Sequence, residues 1–424
     1  MEIISSYNLI IEFSVIIILS FLFSGISKKT NIPSVLMLIA LGIILQYVLR
    51  YFTPEEVNFF PILEILGIVG LIMIVLEAAL ELELKREKLV PILKSFTIAL
   101  LGLFLSAWAA SNILYYYIPD MTMQSAWLYA TPLSILSSSI IIPSVTGLTL
   151  KKKEFHIYES TFSDIIGIIL FYFLTGKLNP VEDTSLIGFS GNLLLTVVLS
   201  IIASYAIILV FQGIKSQVKL FLLIAVLLLL YALGKKMHLS SLIIILIFGL
   251  VISNMNIFFK GRLSKFLNYE KAHRIYHELH TITAETAFLV RTFFFVIFGM
   301  TITVASLFNK EVALISCMLV ASIYLIRFVL LLIFEGKNII PQVFIAPRGL
   351  ITVLLFYAIP VEAEVEGFEA GILLFVIIAT SLIMTFAMIY DKNRNGQAIK
   401  KANSRNVETV KWKVPTVLKE DQSS

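Results

Sequence analysis

Residues 159–174 read ESTFSDIIGIILFYFL: an acid, Glu159, and a second acid, Asp164, bracket two serines and a threonine, and an apolar run to Leu174 follows. A carboxylate placed inside a membrane-length apolar segment is costly and marks function by default. Glu159 and Ser163 are four residues apart, as are Ser160 and Asp164, so on a helix all four share one broad face. That face reads as a cation or proton site inside a transmembrane helix.

The whole chain fits that setting. Of its 424 residues, 58% are hydrophobic and 14% charged, with a mean hydropathy of +0.94. Apolar runs of about 17 to 25 residues, the length that crosses a bilayer core, recur along nearly all of it. We count 13 spans: 7–26, 33–50, 61–82, 92–118, 124–148, 159–176, 190–213, 218–234, 239–257, 282–305, 311–334, 338–360 and 369–390. The fold class is an all-α polytopic membrane protein. Glu2 and Glu12 without a basic cluster make the first segment unlike a cleaved signal peptide.

Basic loops set the orientation. Lys28/Lys29, Lys85/Arg86/Lys88, Lys151–Lys153, Lys215/Lys219 and the 260–274 stretch fall on one side, and only Lys235/Lys236 breaks the pattern. The N-terminus is expected outside, the C-terminus in the cytoplasm, and the protein in the cell (inner) membrane. This loop asymmetry accounts for the net charge of +5 without nucleic-acid binding. Within the membrane domain, 1–390, the stretch 258–280 is expected to be an amphipathic helix on the cytoplasmic surface. The polar tail, 391–424, is expected to be disordered, and no nucleotide-binding domain follows the membrane region.

Two spans carry helix breakers. Pro132 and Pro143 bracket Ser134, Ser137, Ser138 and Ser139 in span 5; Pro341, Pro347 and Gly349 interrupt span 12. Both helices should unwind locally. Spans seven apart run in opposite directions, which suits two inverted six-helix repeats, spans 1–6 and 8–13, with span 7 as a linker. Matched interruptions in such repeats point to a transporter site near the midplane.

Around that site, Asp164 is the central candidate. Desolvation disfavours the charged form of a carboxyl group, so proton and cation can compete for it. Glu159 opens span 6, and Arg348 lies mid-span between Pro347 and Gly349; a buried Glu159–Arg348 pair resolves both charges at once. Glu77, deep in span 3, is a second carboxylate for the cation. Glu285 and Arg291 are six apart in span 10 and cannot pair along one face, so Arg291 needs a partner elsewhere. Arg327 in span 11 reads as snorkelling toward the cytoplasm.

Enzyme chemistry is not expected, and neither is a cofactor. His277-Glu-Leu-His280 places its histidines at i and i+3, where a zinc-protease helix needs i and i+4; no nucleophile elbow or Walker A loop occurs. A lone Cys317 forms no internal disulfide.

Six stretches taken in order resemble the monovalent cation:proton antiporter superfamily, most closely its NhaP-like sodium/proton exchangers. They are IPSVLMLIALGIIL (32–45), VLEAALELELK (75–85), ESTFSD (159–164), LSSLIIILIFGLVISN (239–254), FLVRTFFFVIFG (288–299) and APRGLITVLL (346–355). The resemblance implies a core bundle with crossed, unwound spans 5 and 12 moving against a dimerisation bundle in a homodimer. It implies that Asp164 binds the ion and proton, that Ser160 and Glu77 assist, and that Glu159 and Arg348 form the branch's structural ion pair. Ser163 stands where the family carries Asn or Asp, and Ser139-Ile140 where it commonly carries Thr-Asp. Ser139-Ile140 is nearer the potassium-efflux branch. A single core aspartate favours one-for-one, electroneutral exchange of sodium, lithium or potassium for protons, serving pH homeostasis. Two readings compete: a cation channel, which needs a continuous ring of carbonyls or charges, and an exchanger-like protein acting as a sensor or scaffold without transport.

Overall fold

The computed structural model describes residues 6–30, 32–52, 60–82, 84, 86–178, 186–214, 219–236, 241–259, 268–301, 306–307, 309–336 and 338–405. Among them the chain is helical, without strands. The helices are α1 (Ser6–Thr30), α2 (Ser34–Phe52), α3 (Phe60–Glu81), α4 (Leu89–Tyr117), α5 (Met123–Ser134), α6 (Ser138–Ser144), α7 (Leu150–Gly176) and α8 (Leu186–Phe211). There follow α9 (Lys219–Lys236), α10 (Ser241–Ser253), α11 (Met255–Phe258), α12 (Tyr269–Thr301), α13 (Lys310–Glu335), α14 (Leu350–Tyr357) and α15 (Gly371–Arg405). Every expected span has a counterpart, with α5 and α6 as the halves of span 5 and α14 as the helical half of span 12. Among the described residues, seven helices are long and apolar enough to cross a membrane, with three shorter apolar helices beside them.

The helices pack as two bundles. One groups α4–α7 with α13–α15; the other groups α1–α3 with α8, α9, α10 and α12. The packing pattern of the first half recurs in the second. The α2–α12 contact is matched by α10–α3, α4–α7 by α13–α15, and α1–α2 by α9–α10, while α3–α12 and α4–α13 map onto themselves. These principal contacts therefore recur when the halves are exchanged, as inverted repeats require.

Three boundaries differ from expectation. The helix carrying Glu159 begins at Leu150, so Glu159 sits in its interior rather than at its positive end. The basic segment at 258–280 is not a separate surface helix where it is described: Tyr269–His280 forms the first turns of α12, with Ala272, Ile275 and Leu279 buried and the Tyr276 hydroxyl donating to the Leu80 carbonyl at 3.1 Å. Residues 260–267 of that segment lie outside the described residues. Helix α15 runs on to Arg405, fifteen residues beyond the expected end of span 13; residues 406–424 of the tail lie outside the described residues.

The two interrupted spans meet at their breaks. Helix α5 ends at Ser134, just past Pro132, and the chain is extended at Ile135 and Ser137 before α6 begins. In lipid, each backbone group freed by such a break must find a partner inside the protein. The Ser137 N–H donates to the Pro347 carbonyl of span 12 at 2.9 Å, the Leu136 N–H to Ser163 Oγ at 3.0 Å, and the Arg348 N–H to Thr380 Oγ1 at 3.0 Å. Gly349 is required by this approach: a Cβ there would meet the Ser137 hydroxyl and lie 2.9 Å from Ile140 Cδ1. Gly349→Ala is expected to force the breaks apart and lower stability by about 1–3 kcal/mol, the usual cost of overpacking. Thermal unfolding of the detergent-solubilised protein checks it; an unchanged midpoint contradicts it.

Candidate functional site

Helix α7 passes beside the crossing and presents Asp164 to it. Both Asp164 oxygens are buried and make no hydrogen bond among the described residues. The polar groups that act on it are the hydroxyl and N–H of Ser138, at the first turn of α6. A buried carboxyl group without a protein partner is costly unless it takes up a proton or a cation. No other described carboxylate in the core bundle is left in that condition.

Ser138 also lines a cavity of about 360 Å³ between the two bundles. Ser139, Glu77 and Arg291 line it too, as do Glu81 at the end of α3 and Lys153 in the first turn of α7. Ser138 is thus shared between this cavity and the surroundings of Asp164. A second, smaller cavity of about 140 Å³, lined by Ser20, Ser24, Ser27, Ser34, Ser139, Arg291 and Thr292, adjoins the same guanidinium.

The serines divide by role. Ser160 is buried and donates to the His156 carbonyl at 2.7 Å, which leaves its oxygen lone pairs available. Ser163 accepts the Leu136 N–H, so it ties α7 to the unwound segment, where the sequence assigned it to the ion. Ser139 Oγ is 3.0 Å from Ser137 Oγ, and its carbonyl accepts from Arg291 Nη1 at 3.3 Å. Glu77 reaches the cavity from α3, and Arg291 Nη2 lies 3.5 Å from its Oε2, which supplies the partner the sequence left open. Glu285 lies on the exposed face of α12 and is not brought to the site.

The expected Glu159–Arg348 pair does not form. Glu159 is gripped in two places by Arg327: Nη1 to Oε1 at 2.7 Å and Nη2 to Oε2 at 2.9 Å, with Arg327 Nε donating to the Gln342 carbonyl at 3.1 Å. Arg327 is thus a buried clamp from α13 onto α7, not a snorkelling residue. Arg348 is buried as well, but it serves carbonyls that the helix breaks leave without helical partners, donating from Nε to Leu133 O at 2.7 Å and from Nη1 to Ala346 O at 3.1 Å. Leu133 is in the last turn of α5, where a cation also complements the helix dipole. His156, buried with its Nδ1 3.3 Å from Glu159 Oε2, completes the clamp. The sequence offered signals for both missed residues: Arg327 is an arginine inside an apolar span, and His156 lies three residues before Glu159.

The profile of the sodium/hydrogen exchanger transmembrane family matches residues 16–389. Among curated proteins, none matches the chain by sequence. The fold is similar to that of the sodium proton antiporter MjNhaP1 from Methanocaldococcus jannaschii at pH 8, with a TM-score of 0.65 and 18% identity, over 91% of this chain and 99% of that one. An electron-microscopy map of MjNhaP1 gives a TM-score of 0.62 at 18% identity, over 95% of this chain and 98% of the other.

Proposed function

The chain belongs to the sodium/hydrogen exchanger family, and from that premise we propose that it is a secondary antiporter in which a monovalent cation and a proton compete for Asp164. The observation that carries this reading is the buried Asp164 carboxyl group, without a hydrogen-bond partner among the described residues, beside the crossing of two unwound helices. With its proton Asp164 is neutral and needs no counter-charge; without it, the carboxylate requires a cation, to which Ser138 and Ser160 would add oxygens, and Glu77 once released from Arg291. One charge site that holds either species, never both, couples their movements one for one. A tenfold cation gradient and one pH unit are each worth about 1.36 kcal/mol, so such exchange balances them directly.

Alternating access would use the two bundles. Asp164, Ser138 and the breaks belong to one bundle, Glu77 and Arg291 to the other, and the cavity lies between them. Rocking the first bundle against the second would carry the occupied aspartate from one face to the other. The second bundle would form the homodimer contact. By the basic-loop rule the C-terminus and Lys151–Lys153 at the start of α7 would face the cytoplasm, with the N-terminus outside and the protein in the inner membrane. Sodium is the first ion to test, with lithium and potassium beside it.

The test is dissipation of an imposed pH gradient in proteoliposomes, with the membrane voltage clamped, on addition of sodium, lithium, potassium or choline. Saturating exchange with at least one alkali cation and none with choline is the expected outcome, and the ion series sets selectivity. A flux that does not saturate and ignores the imposed pH gradient marks a channel. Silence with every ion from pH 6 to 9 ends the transport reading.

A further inference from the structure

Arg291 is a charge that the exchange cycle above does not use. It projects from α12 into the space between the bundles and lines both cavities there. Its fork is divided: Nη1 donates to the Ser139 carbonyl on α6 of one bundle, and Nη2 lies 3.5 Å from Glu77 on α3 of the other. Neither side chain of the ion pair is sealed off, Arg291 being 16% and Glu77 23% exposed. The other charged or titratable groups facing this space are Glu81 on α3, 3.7 Å from His280 of α12, and Lys153 on α7.

A carboxylate and a backbone carbonyl one residue from Ser138 are hard oxygen donors suited to an alkali cation. Both are engaged by a guanidinium. We propose that Arg291 is a tethered counter-cation: it holds Glu77 and the Ser139 carbonyl from the cavity side, and an incoming monovalent cation must displace it, so that Arg291 sets the cation concentration at which exchange half-saturates. This rests on the antiport reading of the Asp164 site. Arginine does not lose its proton in proteins, so the competition persists across the working pH range. The Ser139 contact also crosses between the bundles, so releasing it frees the first bundle to move, and loading is tied to movement.

The experiment measures the half-saturating sodium concentration for exchange in proteoliposomes at pH 8.5, above the ordinary carboxylate range, for wild type, Arg291→Gln and Arg291→Lys. Sodium-dependent thermal stabilisation of the detergent-solubilised proteins, against choline chloride, is read alongside. Arg291→Gln is expected to lower the half-saturating concentration by about two- to fivefold, the size expected for release of a partly exposed ion pair. Arg291→Lys, a single-point donor that cannot hold both groups at once, is expected to lower it by less. In a Glu77→Gln background the gain from Arg291→Gln should shrink, because the carboxylate it guards is gone. An unchanged or raised half-saturating concentration in Arg291→Gln, with exchange retained, overturns the proposal. If that variant does not fold, Arg291→Lys decides alone: a fall supports the proposal and no fall overturns it. A wild type with neither exchange nor sodium-dependent stabilisation defeats the antiport reading itself, a result distinct from failure of the Arg291 proposal.

Discussion

Asp164→Asn is expected to reduce cation-dependent dissipation of a pH gradient to the leak of empty liposomes while leaving the protein folded. Asparagine has nearly the shape of aspartate, so the α7 surface beside the helix crossing is preserved. It neither takes up a proton nor carries the charge a cation requires, so both halves of the exchange disappear together. The aspartate oxygens bond to nothing among the described residues, so substitution breaks no hydrogen bond of the fold. The unfolding midpoint should therefore stay close to that of the wild type, which separates loss of the ion site from loss of structure. Residual exchange in a folded Asp164→Asn protein would show that another group carries the proton, and the assignment of the site would fall.

The second large effect concerns the clamp. Arg327→Met removes the partner that binds both oxygens of Glu159 and leaves a carboxylate stranded at 1% exposure. Breaking a buried pair by deleting one member costs about 3–5 kcal/mol, whereas replacing both members by apolar groups is often close to neutral. Arg327→Met alone is thus expected to lower the unfolding midpoint severely, and Arg327→Met with Glu159→Met to recover most of the loss. A double-mutant cycle reads the coupling directly. Arg348→Met with Glu159→Met should show little coupling by comparison, because Arg348 bonds to carbonyls rather than to Glu159. The reverse outcome, strong coupling of Glu159 to Arg348 and weak coupling to Arg327, would restore the pairing suggested by the sequence and contradict the geometry described above.

The two arginines show why partners are harder to read than positions. Each is an arginine inside an apolar span, Arg348 between two helix breakers and Arg327 in the interior of α13, so sequence position alone gives either a claim on Glu159. Arg348 looked the better candidate because it sits between Pro347 and Gly349, mid-span. The same proline and glycine unwind the chain there, and the unwinding places carbonyls such as Ala346 O within its reach. The feature that drew attention to Arg348 is what occupies it. Ser163 behaves in the same way. It lies on the face shared with Asp164, but the break at Leu136 leaves an N–H that only a neighbouring helix can satisfy, and Ser163 accepts it. Arg291 was recognised as a charge in need of a partner; that the partner is Glu77 depends on the packing of α12 against α3.

The sequence by itself determined the membrane architecture, the two interrupted helices, the inverted halves and the placing of Asp164, Glu159, Glu77 and Arg291 within spans. It could do so because a bilayer makes each helix satisfy its own backbone, so length and hydropathy mark the spans one by one, and each charge inside them stands out by its cost. Only the tertiary structure decided which charge meets which: Arg327 with Glu159, Arg291 with Glu77, Arg348 with the carbonyls of the broken helices, and Asp164 with no hydrogen-bond partner among the described residues. The reason is that an ion pair between helices is fixed by their crossing, in distances of a few ångströms between residues 168 and 214 positions apart in the chain. No local pattern along a single helix encodes such a distance.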